Sequence, residues 1–396
     1  MAEIAAGVGT PAYVYSQAAF TGALAAFETA FQGLPHLICY ATKVSDNRSL
    51  LKLVAARGQG ADIVSGGELF KCLKAGIDPG RVVFSGVGKT AREMTEALEA
   101  GILMFNVESE EELERLAEVA RRLGRRAPVS LRINPDVDPG THPYVATGLK
   151  ESKFGLSPEA ALPLYRRAAE KPELELRGIA CHIGSQLLGA SPFLAAAEKL
   201  KALVLELKFT GIELKYFDMG GGLGVHYHQE SPPSLTEYAE GLKWVMADLP
   251  GMTLILEPGR YIAANSAALV VEVLYNKLNG HKRFLIVDGA MNDLIRPSLY
   301  GSYHHILPVK NIDTPLVTVD VVGPVCESGD FLAKDRPLPI SEAGDLLAVL
   351  GAGAYGFTMS SNYNARPRAA EVLVSEGTFR IIKPRETYED LVRGEE

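Results

Sequence analysis

Leu37-Ile38-Cys39-Tyr40-Ala41 is an unbroken apolar run that ends in Thr42-Lys43 and leads, after a helical stretch, to a second run, Ala61-Asp62-Ile63-Val64. Runs of this length without polar alternation suit strands buried on both faces, as in a parallel sheet. Outward from this pair, the same order of apolar run, polar or glycine-rich corner and helical stretch recurs from residue 36 to residue 261. The later runs fall at residues 82–85, 103–107, 129–133, 179–182, 216–219 and 254–257. Two corners, Ser109 with Glu112 and Ser234 with Glu237, have capping-box spacing. Eight strand–helix units in about 225 residues fit an α/β fold of the (β/α)8 TIM-barrel type. An open doubly wound sheet is the alternative.

After Ala268 the pattern changes. Short apolar runs at residues 270–275, 284–288, 316–322, 346–350, 372–374 and 379–382 are separated by turns, as in an all-β unit. Residues 12–15 also read as a strand and can join it. The expected organisation is a barrel over residues 27–268 and a sandwich- or barrel-like β domain from residues 1–26 plus 269–396.

The composition narrows the function. The 396 residues carry 40 Lys and Arg against 48 Asp and Glu, a formal charge of −8. That balance argues against nucleic acid or an anionic membrane as partner. A hydrophobic fraction of 47% with 22% charged residues supplies a packed core, so disorder is excluded. The basic cluster Arg121, Arg122, Arg125 and Arg126 reads as a solvated helix end. Cys39, Cys72, Cys181 and Cys326 are far apart, with no ligand-like spacing, which reads as reduced thiols of a cytoplasmic protein. The first residues lack the pattern of a signal peptide. Residues 346–365 are uncharged but too polar in their second half to span lipid.

Active-site residues of a barrel lie at the C-terminal ends of its strands. The polar residues there are Lys43, Asp62, Arg132 with Asn134, His182, Asp218 before Gly220-Gly221-Gly222, and Glu257 before Pro258-Gly259-Arg260. A partly desolvated lysine in such a mouth can form a Schiff base with an aldehyde. Asp218-Met219-Gly220-Gly221-Gly222-Leu223-Gly224 lacks the spacing of a dinucleotide fingerprint; a glycine corner opening toward a helix instead offers backbone NH groups to a phosphate. Gly86-Val87-Gly88-Lys89-Thr90 imitates a phosphate-binding loop, but Val83 stands where that pattern needs glycine. His226, His228, His304 and His305 have no accompanying ligand set, so no metal is expected. Pyridoxal 5′-phosphate answers the whole set: its aldehyde needs an amine, its phosphate needs NH donors, and its ring nitrogen needs a carboxylate such as Glu257. A flat imidazole, His182, suits the ring face.

The motifs that carry these residues resemble the diaminopimelate decarboxylases, within the alanine racemase and ornithine decarboxylase fold group. They are Tyr40-Ala41-Thr42-Lys43, Ala61-Asp62-Ile63-Val64-Ser65-Gly66-Gly67-Glu68, His182-Ile183-Gly184-Ser185-Gln186, the 220–224 corner and Glu257-Pro258-Gly259-Arg260. Arg296-Pro297-Ser298-Leu299-Tyr300, Cys326-Glu327-Ser328-Gly329-Asp330 and Ala354-Tyr355-Gly356 continue them, so the resemblance spans nearly the whole chain. It implies that Lys43 holds the cofactor, with Asp62, His182, Ser185, Gly221, Gly222, Glu257, Gly259, Arg260 and Tyr355 around it. It implies that Arg260, Arg296, Tyr300 and Tyr355 grip the substrate's distal end, and that Glu327 meets the distal ammonium. Cys326 would act as the acid, reaching the site of the other subunit in a homodimer with shared active sites. The implied reaction is decarboxylation of meso-2,6-diaminopimelate to L-lysine, with a small amino acid as the only partner besides a second copy. A decarboxylase acting on another free or carrier-bound amino acid is the alternative. A racemase is opposed by Glu257, and a non-catalytic regulator by the retention of Lys43, Glu257 and Cys326. Thr42, Val44, Ser45 and Ser152 depart from the family's usual residues, which bears on rate and substrate preference more than on cofactor binding.

Overall fold

The computed structural model describes residues 1–138, 152–311 and 313–396. Eight parallel strands close a barrel: β2 (His36–Ala41), β3 (Gly60–Ile63), β4 (Val82–Phe84), β5 (Met104–Val107), β6 (Ala127–Arg132), β7 (Leu174–Ala180), β8 (Tyr216–Asp218) and β9 (Thr253–Leu256). The first of these pairs with the last through His36↔Leu254, Leu37↔Ile255 and Ile38↔Leu256, so no sheet edge remains. Every residue of β3 to β6 is buried, which is why these strands read as continuous apolar runs.

The helices around the barrel are written in their ends. After α1 (Ala2–Val8) and α2 (Gln17–Ala30), the outer set includes α3 (Arg48–Ala56), α4 (Gly66–Ala75), α5 (Ala91–Ala100), α6 (Glu110–Leu123), α7 (Pro158–Ala169), α8 (Ser191–Phe209) and α9 (Leu235–Met246). Helix α6 carries three glutamates in its first turn and Arg121 and Arg122 in its last, matched to its dipole, and buries a stripe including Leu113, Leu116 and Ala120. The two expected capping boxes form only by half. Ser109 and Ser234 accept from the Glu112 and Glu237 amides, but the Glu112 carboxylate turns to the Glu108 amide and to Lys89. The reciprocal box forms at Thr90 and Glu93. Of the basic cluster, all four residues are exposed, yet Arg125 and Arg126 donate to the Leu98 and Leu174 carbonyls.

The remaining strands form one mixed sheet: β1 (Ala12–Ser16), β10 (Ala267–Asn279), β11 (Lys282–Val287), β12 (Ile306–Pro308), β13 (Leu316–Val322), β14 (Phe331–Pro339), β15 (Leu346–Leu350), β16 (Ala370–Ser375) and β17 (Thr378–Lys383). The N-terminal strand lies between β10 (antiparallel) and β16 (parallel), sewing the two chain ends into one layer. Strands β12 and β14 are additions to the sequence reading. The chain divides into two compact units, one of Met1–Gly22, His226–Glu230 and Ile262–Glu396, the other of Ala23–Val225 and Ser231–Tyr261. Among the described residues, no helix is long and apolar enough to cross a membrane.

Candidate active site

Lys43 sits just past the end of β2, in a single tight turn, Thr42–Val44. Its Nζ donates to Asp62 Oδ2 at 2.7 Å, and Asp62 is completely buried in β3. The other oxygen, Asp62 Oδ1, is buried with no hydrogen-bond partner among the described residues. The Thr42 hydroxyl lies 2.9 Å from the Asp62 carbonyl oxygen and 2.6 Å from Glu68 Oε2, so its single hydrogen serves one of them at a time. Glu68 also accepts from the Val64 amide at 2.7 Å, and burial raises its pKa.

Across the mouth, Asp218 ends β8 and Glu257 follows β9, both buried. Asn106, from β5, donates from Nδ2 to Asp218 Oδ2 at 3.0 Å and lies 3.4 Å from Glu257 Oε1. Burial, then the neighbouring Asp218 and Asp62 charges, push the Glu257 pKa well above the usual carboxylate range. Burial raises Asp218 as well.

His182 follows β7. Its Nδ1 lies 3.1 Å from the Gly221 amide nitrogen, which can only donate, so the proton is assigned to Nε2. Burial, then the charges of Arg132 and Lys43, hold the His182 pKa well below its ordinary value, so the ring is neutral. A Cβ at Gly221 would stand 2.1 Å from the Glu257 carbonyl oxygen, and one at Gly222, where φ is +118°, would stand 2.3 Å from the Gly184 carbonyl oxygen. Only glycine lets the corner after β8 close against both neighbouring loops. The expectation that this corner opens into a helix is corrected. Gly220 and Gly222 both have positive φ, which cannot start a right-handed helix, and α9 begins only at Leu235. Arg260 opens the short helix α10 (Arg260–Ala263) directly after Gly259; its Nε and Nη2 lie 3.2 and 2.9 Å from Ser185 Oγ.

Lys43, Asp62, His182, Ser185, Gly221, Gly222, Glu257, Gly259 and Arg260 therefore all lie at C-terminal strand ends of the barrel or in the loops that follow. The β unit holds the others. Arg296 opens the short helix α11 (Arg296–Tyr300) and is buried, with Tyr300 half-buried at the far end. Cys326 is the one exposed thiol of the four, and its amide donates to Asn364 Oδ1 at 2.8 Å. Glu327, beside it, is exposed. Tyr355 has a left-handed backbone, φ +57°, a conformation that costs a non-glycine residue about 1 kcal/mol or more.

Sequence reasoning did not single out Asn106 or Glu68 as site residues. Asn106 had a usable signal, a lone amide inside the apolar run at residues 103–107. Glu68 had none beyond its place in a motif, since its partner Thr42 lies 26 positions earlier.

Residues 18–264 match the family model for the pyridoxal binding domain of pyridoxal-dependent decarboxylases. The diaminopimelate decarboxylase of Pseudomonas aeruginosa is 52% identical over 395 residues, covering 100% of this chain and 95% of the relative. The chain belongs to the diaminopimelate decarboxylase family. A solved structure of the Helicobacter pylori family member, complexed with L-lysine, superposes with a TM-score of 0.96 at 45% identity, over 99% of this chain and 98% of that one. The lysine/ornithine decarboxylase of Vibrio vulnificus complexed with cadaverine, at 21% identity and a TM-score of 0.84, covers 95% of each chain and shares the fold.

The cofactor of the family is pyridoxal phosphate, and the barrel mouth fits it on two counts. A lysine amine, the group an aldehyde requires, stands at the mouth, positioned there by a buried carboxylate. The carboxylates Asp62, Asp218 and Glu257 are buried near one another, and a protonated ring nitrogen would relieve the burial and repulsion that raise Glu257. Among the described residues, no cluster of three or more His, Cys, Asp or Glu could hold a metal ion.

Proposed function

We propose that the protein decarboxylates meso-2,6-diaminopimelate to L-lysine and carbon dioxide with pyridoxal phosphate. The observation that carries this reading is the Lys43–Asp62 pair facing the buried Glu257 cluster, in a chain that matches diaminopimelate decarboxylases from end to end. Bound at this mouth, pyridoxal phosphate supplies an electron sink for the pair left behind when carbon dioxide departs.

In this reading Lys43 is the residue that would hold the cofactor through its aldehyde, and Asp62 positions the amine. Glu257 faces the ring nitrogen and keeps it protonated, with Asn106 and Asp218 orienting the carboxylate. His182, neutral and fixed by the Gly221 amide, covers the ring face. Ser185, Gly221, Gly222, Gly259 and Arg260 surround the phosphate, with Tyr355 beside them. Arg260, Arg296 and Tyr300 hold the distal carboxylate, a task suited to arginine's planar fork, and Glu327 meets the distal ammonium. Cys326 delivers a proton to the carbon that has lost its carboxylate. Cys326 and Glu327 serve the site of a second copy, which makes the working unit a cytoplasmic homodimer.

The test is to incubate the cofactor-loaded protein with meso-diaminopimelate and measure both products. Equal amounts of L-lysine and carbon dioxide support the reading. Epimerised diaminopimelate without carbon dioxide would overturn it.

A further inference from the structure

His304 is fully buried, and both ring nitrogens have partners that define its state. Nδ1 lies 2.8 Å from the Leu350 carbonyl oxygen, which can only accept, so Nδ1 carries the hydrogen. Nε2 lies 3.0 Å from Arg296 Nη1, a guanidinium nitrogen that can only donate, so Nε2 presents its lone pair. The imidazole is thus neutral, with its tautomer assigned by these two partners. An imidazolium in this position would set an N–H against the N–H of arginine.

The ring has little freedom to leave. The His304 carbonyl accepts from Arg336 Nη1 at 2.7 Å, and the carbonyl of the next residue, His305, accepts from the Leu350 amide at 2.8 Å. Both anchors tie the segment to the sheet. Tyr227 completes the holder: its ring lies under the Arg296 guanidinium, 4.8 Å from centroid to Cζ, and meets the His304 ring edge-on at 5.6 Å. Tyr227 is itself pinned, because its amide donates to the Glu230 carboxylate at 3.0 Å. Gly351, at φ +68°, lets the ring approach; a Cβ there would stand 3.0 Å from Tyr227 Cε1.

We propose that His304 and Tyr227 are positioning residues that aim Arg296 at the substrate's distal carboxylate. The proposal rests on the reading of Arg296 given above. A carboxylate partner would orient the guanidinium and also cancel its charge. A neutral imidazole and an aromatic face orient it without themselves cancelling that charge. The device therefore sets specificity for an amino-acid head group over a plain amine.

L-lysine and cadaverine separate these roles, because they differ only in that carboxylate. Binding of each to the cofactor-loaded protein is measured by calorimetry for wild type, His304→Leu, His304→Gln, Tyr227→Leu and Arg296→Ala. His304→Leu should weaken L-lysine on the order of ten- to a hundred-fold, the usual effect of losing a hydrogen bond to a charged group, and leave cadaverine unchanged. His304→Gln, whose amide oxygen can still accept from Arg296, should recover most of that loss. Equal weakening of both ligands would mark a merely structural role, and unchanged L-lysine binding would mean no role; either overturns the proposal. If Arg296→Ala also leaves L-lysine unchanged, the reading of Arg296 fails with it. If Arg296→Ala weakens L-lysine and His304→Leu does not, only the positioning claim fails. Should His304→Leu not fold, Tyr227→Leu decides by the same comparison.

Discussion

Lys43 Nζ and Asp62 Oδ2, 2.7 Å apart at the barrel mouth, form the contact on which the proposed chemistry turns. Asp62 is completely buried, and an isolated carboxylate there would be costly without a cation. Lys43→Ala removes both the amine and that compensation. The variant should show no borohydride-reducible bond between protein and cofactor, and a reducible bond in the variant would assign the attachment elsewhere. Thr42 shows how a departure from the family is absorbed locally. Its hydroxyl faces Glu68 and the Asp62 carbonyl, so the change adds a hydrogen bond behind the lysine and leaves the amine's own contact intact. Val44 and Ser45 are likewise accommodated in the fold, the first buried and the second accepting the Tyr40 hydroxyl at its carbonyl.

At the scale of elements, the loop between β4 and α5 is the clearest case of a motif whose meaning is structural. Lys89 is buried, and its Nζ donates to the Gly86 and Asn106 carbonyls and to Glu112 Oε1 at 2.7 to 2.8 Å. It fastens β5 and α6 to this loop, with its ammonium donors directed to protein oxygens. Lys89→Ala strands a buried carboxylate, so it should destabilise the protein by about 3–5 kcal/mol. Urea unfolding checks this, and a loss below 1 kcal/mol would show that the network is dispensable. The barrel strands were legible because both their faces are buried, which leaves an unbroken apolar run in the sequence. Strand β14 was not legible: it is an edge strand, paired among the described residues with β13 alone, and carries Lys334, Asp335 and Arg336 between Phe331 and two prolines. An edge tolerates charge and proline that a central strand would reject. The strand-end residues of the site were readable from their place after each run. The pairing of Arg296 with His304 and Tyr227 was not, because no local periodicity joins residues 227, 296 and 304.

At the scale of the whole molecule, Lys43 and Glu257 belong to the barrel unit and Cys326 and Glu327 to the β unit, and the proposal places the latter two in the site of a second copy. A two-fold dimer can satisfy this by exchanging identical segments, which gives two equivalent sites. Mixing Lys43→Ala with Cys326→Ala under subunit exchange tests the arrangement. Half the dimers are mixed, and each restores one of its two sites, so about a quarter of wild-type activity should return. No recovery in demonstrably mixed dimers would place both residues in one chain's site.

Removal of carbon dioxide from an amino acid that bears a second amino-acid head group is open to a test by substrate comparison. The measurement is kcat/KM for meso-diaminopimelate, L-lysine and L-ornithine under one set of conditions. Diaminopimelate should turn over, with the other two, which offer only an amine at the distal end when their own carboxylate is at the reacting centre, slower by at least about a hundredfold, the discrimination expected when a site built for a charged group is left unpaired. Comparable or faster turnover of L-lysine or L-ornithine would contradict it.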